Sequence, residues 1–179
     1  LYRRQLVQKR GKWRAILPHA LAHRLAKRAL EDIPFKRIED VIIKGGSARI
    51  LRSFSRRIGY LHDDERAILL ASKWFAEDGL LTSLGKLPTL SAEILENIAP
   101  VNPAATLAFF EGVAAKHAWF FGLGNENKTV ILRIIRSIAY DPSLFDRCVA
   151  LLKRFAVNEI PSERDSTTEL LKSLFGLYL

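Results

Sequence analysis

The segment Ile98-Ala99-Pro100-Val101-Asn102-Pro103 returns as Ile138-Ala139-Tyr140-Asp141-Pro142, and in both an apolar helix end runs into a polar cap residue followed by proline. Proline fixes φ and lacks an N–H, so it suits the first turn of a helix and breaks its interior. Each segment therefore reads as helix, sharp turn, helix. A weaker copy stands at Ile58-Gly59-Tyr60-Leu61-His62-Asp63, and Ile58, Ile98 and Ile138 lie forty residues apart. Helix pairs at a period near forty residues bury their apolar faces against neighbouring pairs. The expectation is an all-α fold, a helix-pair superhelix of HEAT or armadillo type.

Caps and apolar periodicity predict helices starting near Pro18, Ser47, Asp63, Ser91, Pro103, Asn127, Pro142 and Ser166. The basic opening, residues 1–14, reads as a short helix and a turn at Gly11. Ile38, Val41 and Ile42 suggest a short helix stopped by Gly45-Gly46, with a strand over 40–44 as the alternative. Residues 80–88 carry Gly85 and Pro88 and read as a connector. They divide the chain into a basic helical subdomain, 1–80, and a helix-pair array, 81–179.

Apolar residues make up 49% of the 179, enough for a core and too many for disorder. The longest apolar runs are broken by Arg133, Arg136, Asp146, Arg147, Lys153 and Arg154, so no membrane span is expected. One cysteine, Cys148, cannot pair within the chain, and no signal-peptide pattern opens the sequence; a reducing compartment, the cytoplasm, is expected. The chain opens on Leu1 and closes on the apolar Leu174-Phe175-Gly176-Leu177-Tyr178-Leu179, which suggests a piece of a larger protein.

The net charge of +9 is unevenly spread: residues 1–57 hold 16 Lys and Arg against 4 Asp and Glu. The remainder of the chain is slightly acidic. Such asymmetry points to a polyanion or to an acidic surface on a neighbouring domain. The candidate surface comprises Lys9, Arg10, Lys12 and Arg14 near the start, Arg24, Lys27 and Arg28 on the helix after Pro18, and Arg49, Arg52 and Arg56 on the solvent side of the helix after Ser47.

Catalytic constellations are not found. His19 and His23 are four apart on a predicted helix, but Ala20 stands where a metalloprotease needs Glu, and no third ligand is placed. Cys148 lies among Leu144, Phe145, Val149, Leu151 and Leu152 and reads as a core residue. Gly122-x-Gly124 lacks the preceding strand and following Lys-Ser/Thr of a phosphate loop and reads as a turn. Trp74 and Trp119 read as packing anchors, whereas Trp13, among Lys9, Arg10, Lys12 and Arg14, fits packing and base stacking equally. No cofactor or metal is expected.

Four stretches together suggest a family: Ile16-Leu17-Pro18-His19-Ala20-Leu21-Ala22-His23-Arg24-Leu25-Ala26, then Leu51-Arg52-Ser53-Phe54-Ser55-Arg56-Arg57-Ile58-Gly59-Tyr60-Leu61, then the joint at Ile98 to Pro103, and finally Ser173-Leu174-Phe175-Gly176-Leu177-Tyr178-Leu179. The chain resembles the region that follows the ATPase module in large bacterial STAND (NACHT-like) NTPases, several of which act in antiphage defence. The resemblance implies a small winged-helix-like subdomain at the Leu17-Pro18 opening and a superhelical sensor or arm downstream. The phosphate-binding loop and Asp-rich metal strand of that family are missing from these residues, so hydrolysis is not implied for this chain. The expected function is a non-catalytic regulatory and protein-interaction segment, whose partners are other domains of the parent protein or a protein ligand. The alternative is a nucleic-acid-binding module, with Arg49, Arg52, Arg56 and the Lys9 to Arg14 cluster on phosphates.

Overall fold

A computed structural model describes residues 7–10, 13–16, 19–76, 89–122, 125–158 and 166–176. The packed body is all-α. Its helices are α1 (His19–Asp32), α2 (Phe35–Ile38), α3 (Ala48–Gly59), α4 (Glu65–Trp74), α5 (Thr89–Ile98), α6 (Pro103–Lys116), α7 (Asn125–Ile138), α8 (Phe145–Asn158) and α9 (Ser166–Leu174). A π-helical stretch, Glu39–Lys44, extends α2, and short 3₁₀ turns occupy Ala99–Val101 and Ala118–Gly122. Residues 40–44 are thus helical, not a strand.

The opening departs from expectation. Strands β1 (Val7–Arg10) and β2 (Trp13–Ile16) pair antiparallel, with Val7 opposite Ile16 and Lys9 opposite Arg14, where a short helix was expected. Gly11-Lys12 separates the strands in sequence, and a glycine-first pair is favoured in two-residue hairpins. Gly11 and Lys12 themselves lie outside the described residues. The connector over 80–88 lies outside the described residues.

The joints form through their side chains. Asp64 caps α4 by accepting from the backbone N–H groups of Arg66 (3.1 Å) and Ala67 (3.0 Å). Asn102 caps α6 by accepting from Ala105 N–H (3.0 Å), and its Nδ2 donates to the Ser72 hydroxyl (3.0 Å), tying the α5–α6 joint to α4. Each cap satisfies helix-end donors that would otherwise lack partners. At the third joint Asp141 accepts from both the hydroxyl (2.7 Å) and the N–H (2.9 Å) of Ser143. Those two bonds, the hydroxyl first, hold its carboxyl below the usual range. The turn they make delays α8 to Phe145, three residues past Pro142. At α9, Glu169 pairs with Lys172 (2.9 Å) on its own helix.

In packing, α3 lies on α5, α5 on α7 and α7 on α9, while α6 lies on α8 and α1 touches both α3 and α4. One cluster of buried side chains runs from Leu30 to Phe155. The forty-residue register is visible inside it: Ile58, Ile98 and Ile138 are all buried, and each is followed by a small residue, Gly59, Ala99 or Ala139. At Gly59 the backbone of α3 lies close against that of α5. A Cβ there would stand 2.2 Å from the Asn97 backbone oxygen. Beside it, Asn97 Nδ2 donates to the buried Ser55 hydroxyl (2.9 Å), which in turn donates to Arg52 O (3.1 Å). At the α6–α8 end, Phe110, Phe120 and Phe155 are fully buried, with Phe120 centred 6.0 Å from Phe110 and 5.2 Å from Phe155.

Candidate functional site

Helix α3 turns Leu51, Ser55 and Ile58 inward and leaves its other side as an open groove of about 620 Å³. The groove is lined by Arg49, Arg52, Ser53, Arg56, Arg57 and Tyr60. The expected triad of Arg49, Arg52 and Arg56 is therefore brought to one face. Arg57 and Tyr60 were not foreseen as members, although they stand eight and eleven residues after Arg49, close to two and three helical turns. That spacing was the available signal. The Tyr60 side is 55% exposed, and its ring lies 4.8 Å from that of His23, which places α1 beside this end of α3.

The remaining candidates scatter. Lys9, Arg10 and Arg14 sit on the hairpin strands, and Lys12 lies outside the described residues. On α1, Arg24 is exposed, Lys27 reaches the buried Asp64 carboxylate (3.6 Å), and Arg28 pairs with Asp32 (3.2 Å) and Glu31 (3.6 Å). Lys27 and Arg28 thus serve contacts within the chain. Arg52 was expected to point to solvent with Arg49 and Arg56, but it is half-buried and bonded through Nε to Glu93 of α5. The correction has a simple cause: the seam with α5 sets a carboxylate from forty-one residues downstream beside it.

Similar contacts join other neighbouring helices. Arg133 of α7 holds Glu96 of α5 (2.6 Å), and Arg147 of α8 grips Glu111 of α6 with both fork arms (3.0 and 2.5 Å). These pairs are partly exposed, so each contributes at most about 1 kcal/mol.

Two apolar grooves occupy matching positions in successive seams. One, of about 350 Å³, lies between α5 and α7 against Ala99, Pro100, Ile134 and Ile138. The other, of about 370 Å³, lies between α7 and α9 against Ala139, Tyr140, Pro142 and Leu174. A third, of about 490 Å³, is lined by Phe75, Phe109, Val113, His117 and Trp119. Trp119 is 40% exposed and stacks on His117 at 5.5 Å, so it belongs to the surface, unlike the buried anchor Trp74.

Among the described residues no group of three His, Cys, Asp or Glu side chains stands close enough to hold a metal ion, and no helix is long and apolar enough to cross a membrane. His23 lies against Tyr60. Cys148 is buried, and desolvation pushes its thiol from 9.0 up to about 11. Since the thiolate is the nucleophile, this thiol is suppressed as a reactive group. A thiol reagent at pH 8 is expected to leave the native chain unlabelled over minutes and to label it promptly in denaturant; fast native labelling would contradict the burial. The raised value also has a pH consequence. Its contribution to stability is complete below pH 9 and falls away as pH rises towards about 11, where the unfolded thiol ionises and the folded one does not. Comparisons with family models, with curated proteins and with solved structures returned no match to this chain.

Proposed function

We propose that the chain is a non-catalytic regulatory and protein-interaction segment of a larger, cytoplasmic, signal-transducing ATPase of the bacterial STAND type, acting in phage defence. On this reading its helix pairs form a superhelix of HEAT or armadillo type, entered through a small winged-helix-like subdomain over residues 1–80. The alternation of α3, α5, α7 and α9 in one row, with α6 against α8 in another, supports the superhelix. The recurrence of buried Ile58, Ile98 and Ile138 at the same place in successive pairs supports it further.

The observation that carries the functional reading is the arginine groove on α3. It is a contiguous, strongly basic surface lined by four arginines with Ser53 and Tyr60. Such a surface recognises an anionic partner. The basic first third docks against other domains of the parent protein, and the downstream array presents a protein-binding surface.

Two measurements test this. The purified chain is expected to show no ATP or GTP turnover above a buffer control; turnover that survives purification and is abolished by changing a residue of this chain would overturn the reading. The coding sequence upstream is expected to specify a phosphate-binding loop, and its absence from the full-length gene product would remove the ATPase assignment.

A further inference from the structure

The geometry points to residues 39–44 as a two-register element: an α and a π winding bury almost the same apolar surface there, and Lys44, by holding Glu39 and Asp40 together, selects the π form. The element leads directly into α3, so its winding sets how that helix enters the fold.

The first argument is the apolar pattern. In an α-helix the neighbours of the buried Ile38 on its own face are the residues three and four further on, Val41 and Ile42. The π stretch chooses otherwise: Ile42 and Ile43 pack against the core with Ile38, and Val41 is turned out, 48% exposed. Between the two windings Ile43 exchanges with Val41, a difference of one methylene. Packing therefore discriminates weakly between them.

The second argument is charge. Lys44 Nζ lies 2.7 Å from Glu39 Oε1 and 3.7 Å from Asp40 Oδ1. Residues four apart share a side of an α-helix, but residues five apart are turned about 140° from each other. An α winding would keep Lys44 beside Asp40 and carry Glu39 away. Bonding across five residues brings both carboxylates to the ammonium, and the Gly45 N–H does bond across five, to Asp40 O at 3.1 Å. The hydrogen bond from Lys44, and then its charge, hold the Glu39 carboxyl below its usual range, and Glu39 raises Lys44 in return.

The link to α3 is short and tight. Gly45, Gly46 and Ser47 are its three residues, and a Cβ at Gly46 would stand 2.1 Å from the Ile42 backbone oxygen. Such a link passes a change of winding on to α3 instead of absorbing it. A partner that draws Lys44 away from its two carboxylates would therefore shift the start of that helix.

The test is nuclear magnetic resonance on the isotope-labelled whole chain. Scalar coupling across the hydrogen bond of the Gly45 amide names its acceptor, the Asp40 carbonyl in the π winding and the Val41 carbonyl in the α winding. The parent chain is expected to show Asp40. In Lys44→Gln that coupling should weaken and one to Val41 appear, the ratio of the two windings shifting about two- to fivefold, the range for exposed ion pairs. Sodium chloride at about 1 M should move the parent chain the same way by screening the pair. Lys44→Arg is expected to keep Asp40 as acceptor, as is Lys36→Gln, which removes a charge near Glu39 but no bond to it. Circular dichroism and thermal melting of the variants should match the parent, since these side chains are exposed. Asp40 remaining the acceptor at parental strength in Lys44→Gln and in high salt would overturn the proposal. So would a parent chain already bonded to Val41, or a Lys44→Gln chain in which the Gly45 amide couples to neither carbonyl, which would mean unwinding in place of rewinding.

Discussion

Replacement of Phe120 by alanine is expected to destabilise the fold by about 3–5 kcal/mol, the usual range for removing a fully buried phenylalanine. The residue comes from a 3₁₀ turn of only five residues, Ala118–Gly122, yet it is 0% exposed. Its ring is centred 5.2 Å from Phe155, 5.7 Å from Phe121 and 6.0 Å from Phe110. Removing it withdraws one member from contacts that join α6, α8 and the turn between α6 and α7. Phe110, Phe121 and Phe155 belong to different elements, so no single side-chain rotation can refill the space. A natural domain is typically stable by only about 5–15 kcal/mol, so the loss is a large share of the whole. Urea denaturation followed by circular dichroism should show an earlier midpoint, and the melting temperature should fall by roughly 10 °C. Phe120→Leu should lose clearly less, because most of the apolar volume remains. An alanine variant within about 1 kcal/mol of the parent chain would mean that this aromatic cluster does not hold the array together.

The second large effect is expected at Gly59, where the sign of a common stabilising substitution is reversed. Glycine to alanine in a helix ordinarily gains up to about 1 kcal/mol from reduced backbone freedom. At Gly59 the added Cβ meets the backbone oxygen of Asn97 at 2.2 Å, and a backbone atom cannot swing aside as a flexible side chain can. Relief requires α3 and α5 to separate, which pulls on the Asn97–Ser55 bond and on the Arg52–Glu93 pair. Overpacking of this kind costs about 1–3 kcal/mol and sometimes more, so a net loss of about 2 kcal/mol is expected. Gly112, within α6, supplies the control: its added Cβ meets nothing within 4 Å, so Gly112→Ala is expected to gain about 0.5–1 kcal/mol. Chemical denaturation of the two variants side by side decides the matter. A stabilised Gly59→Ala would show that α3 and α5 are not as close as described.

The joints illustrate what a linear reading reaches. Pro103 after Asn102 and the acidic run at Asp63 and Asp64 declare helix starts from sequence because a cap acts on donors two or three residues away. The third joint was legible as a turn, but its helix began late, because Asp141 spends its carboxylate on Ser143 instead of capping at once. At the opening, residues 1–14 read as a short helix and a turn at Gly11, whereas Val7–Arg10 and Trp13–Ile16 pair as antiparallel strands.

The arginine face was also partly legible. Helical periodicity alone aligned Arg49, Arg52 and Arg56, because residues three and four apart share a side of any helix. The same rule, carried one more turn, would have added Tyr60, four residues after Arg56, and Arg57, eight residues after Arg49. No local rule could show that Arg52 meets Glu93, that Lys27 meets Asp64, or that Tyr60 lies against His23. Those partners are separated by about forty residues of chain, and their meeting depends on which helices pack.

What the sequence by itself determined is therefore local and periodic: the all-α body, most helix starts, the forty-residue recurrence of Ile58, Ile98 and Ile138, and the basic stripe on α3. Each follows from interactions within a turn or two of backbone, which residue order specifies directly. Only the tertiary structure decided which cations remain outward and which are engaged by carboxylates of neighbouring helices, and where the packing is tight enough that only glycine fits. Both outcomes are set by distances between helices, and those arise from how complete apolar faces pack together, beyond the reach of any single stretch of sequence.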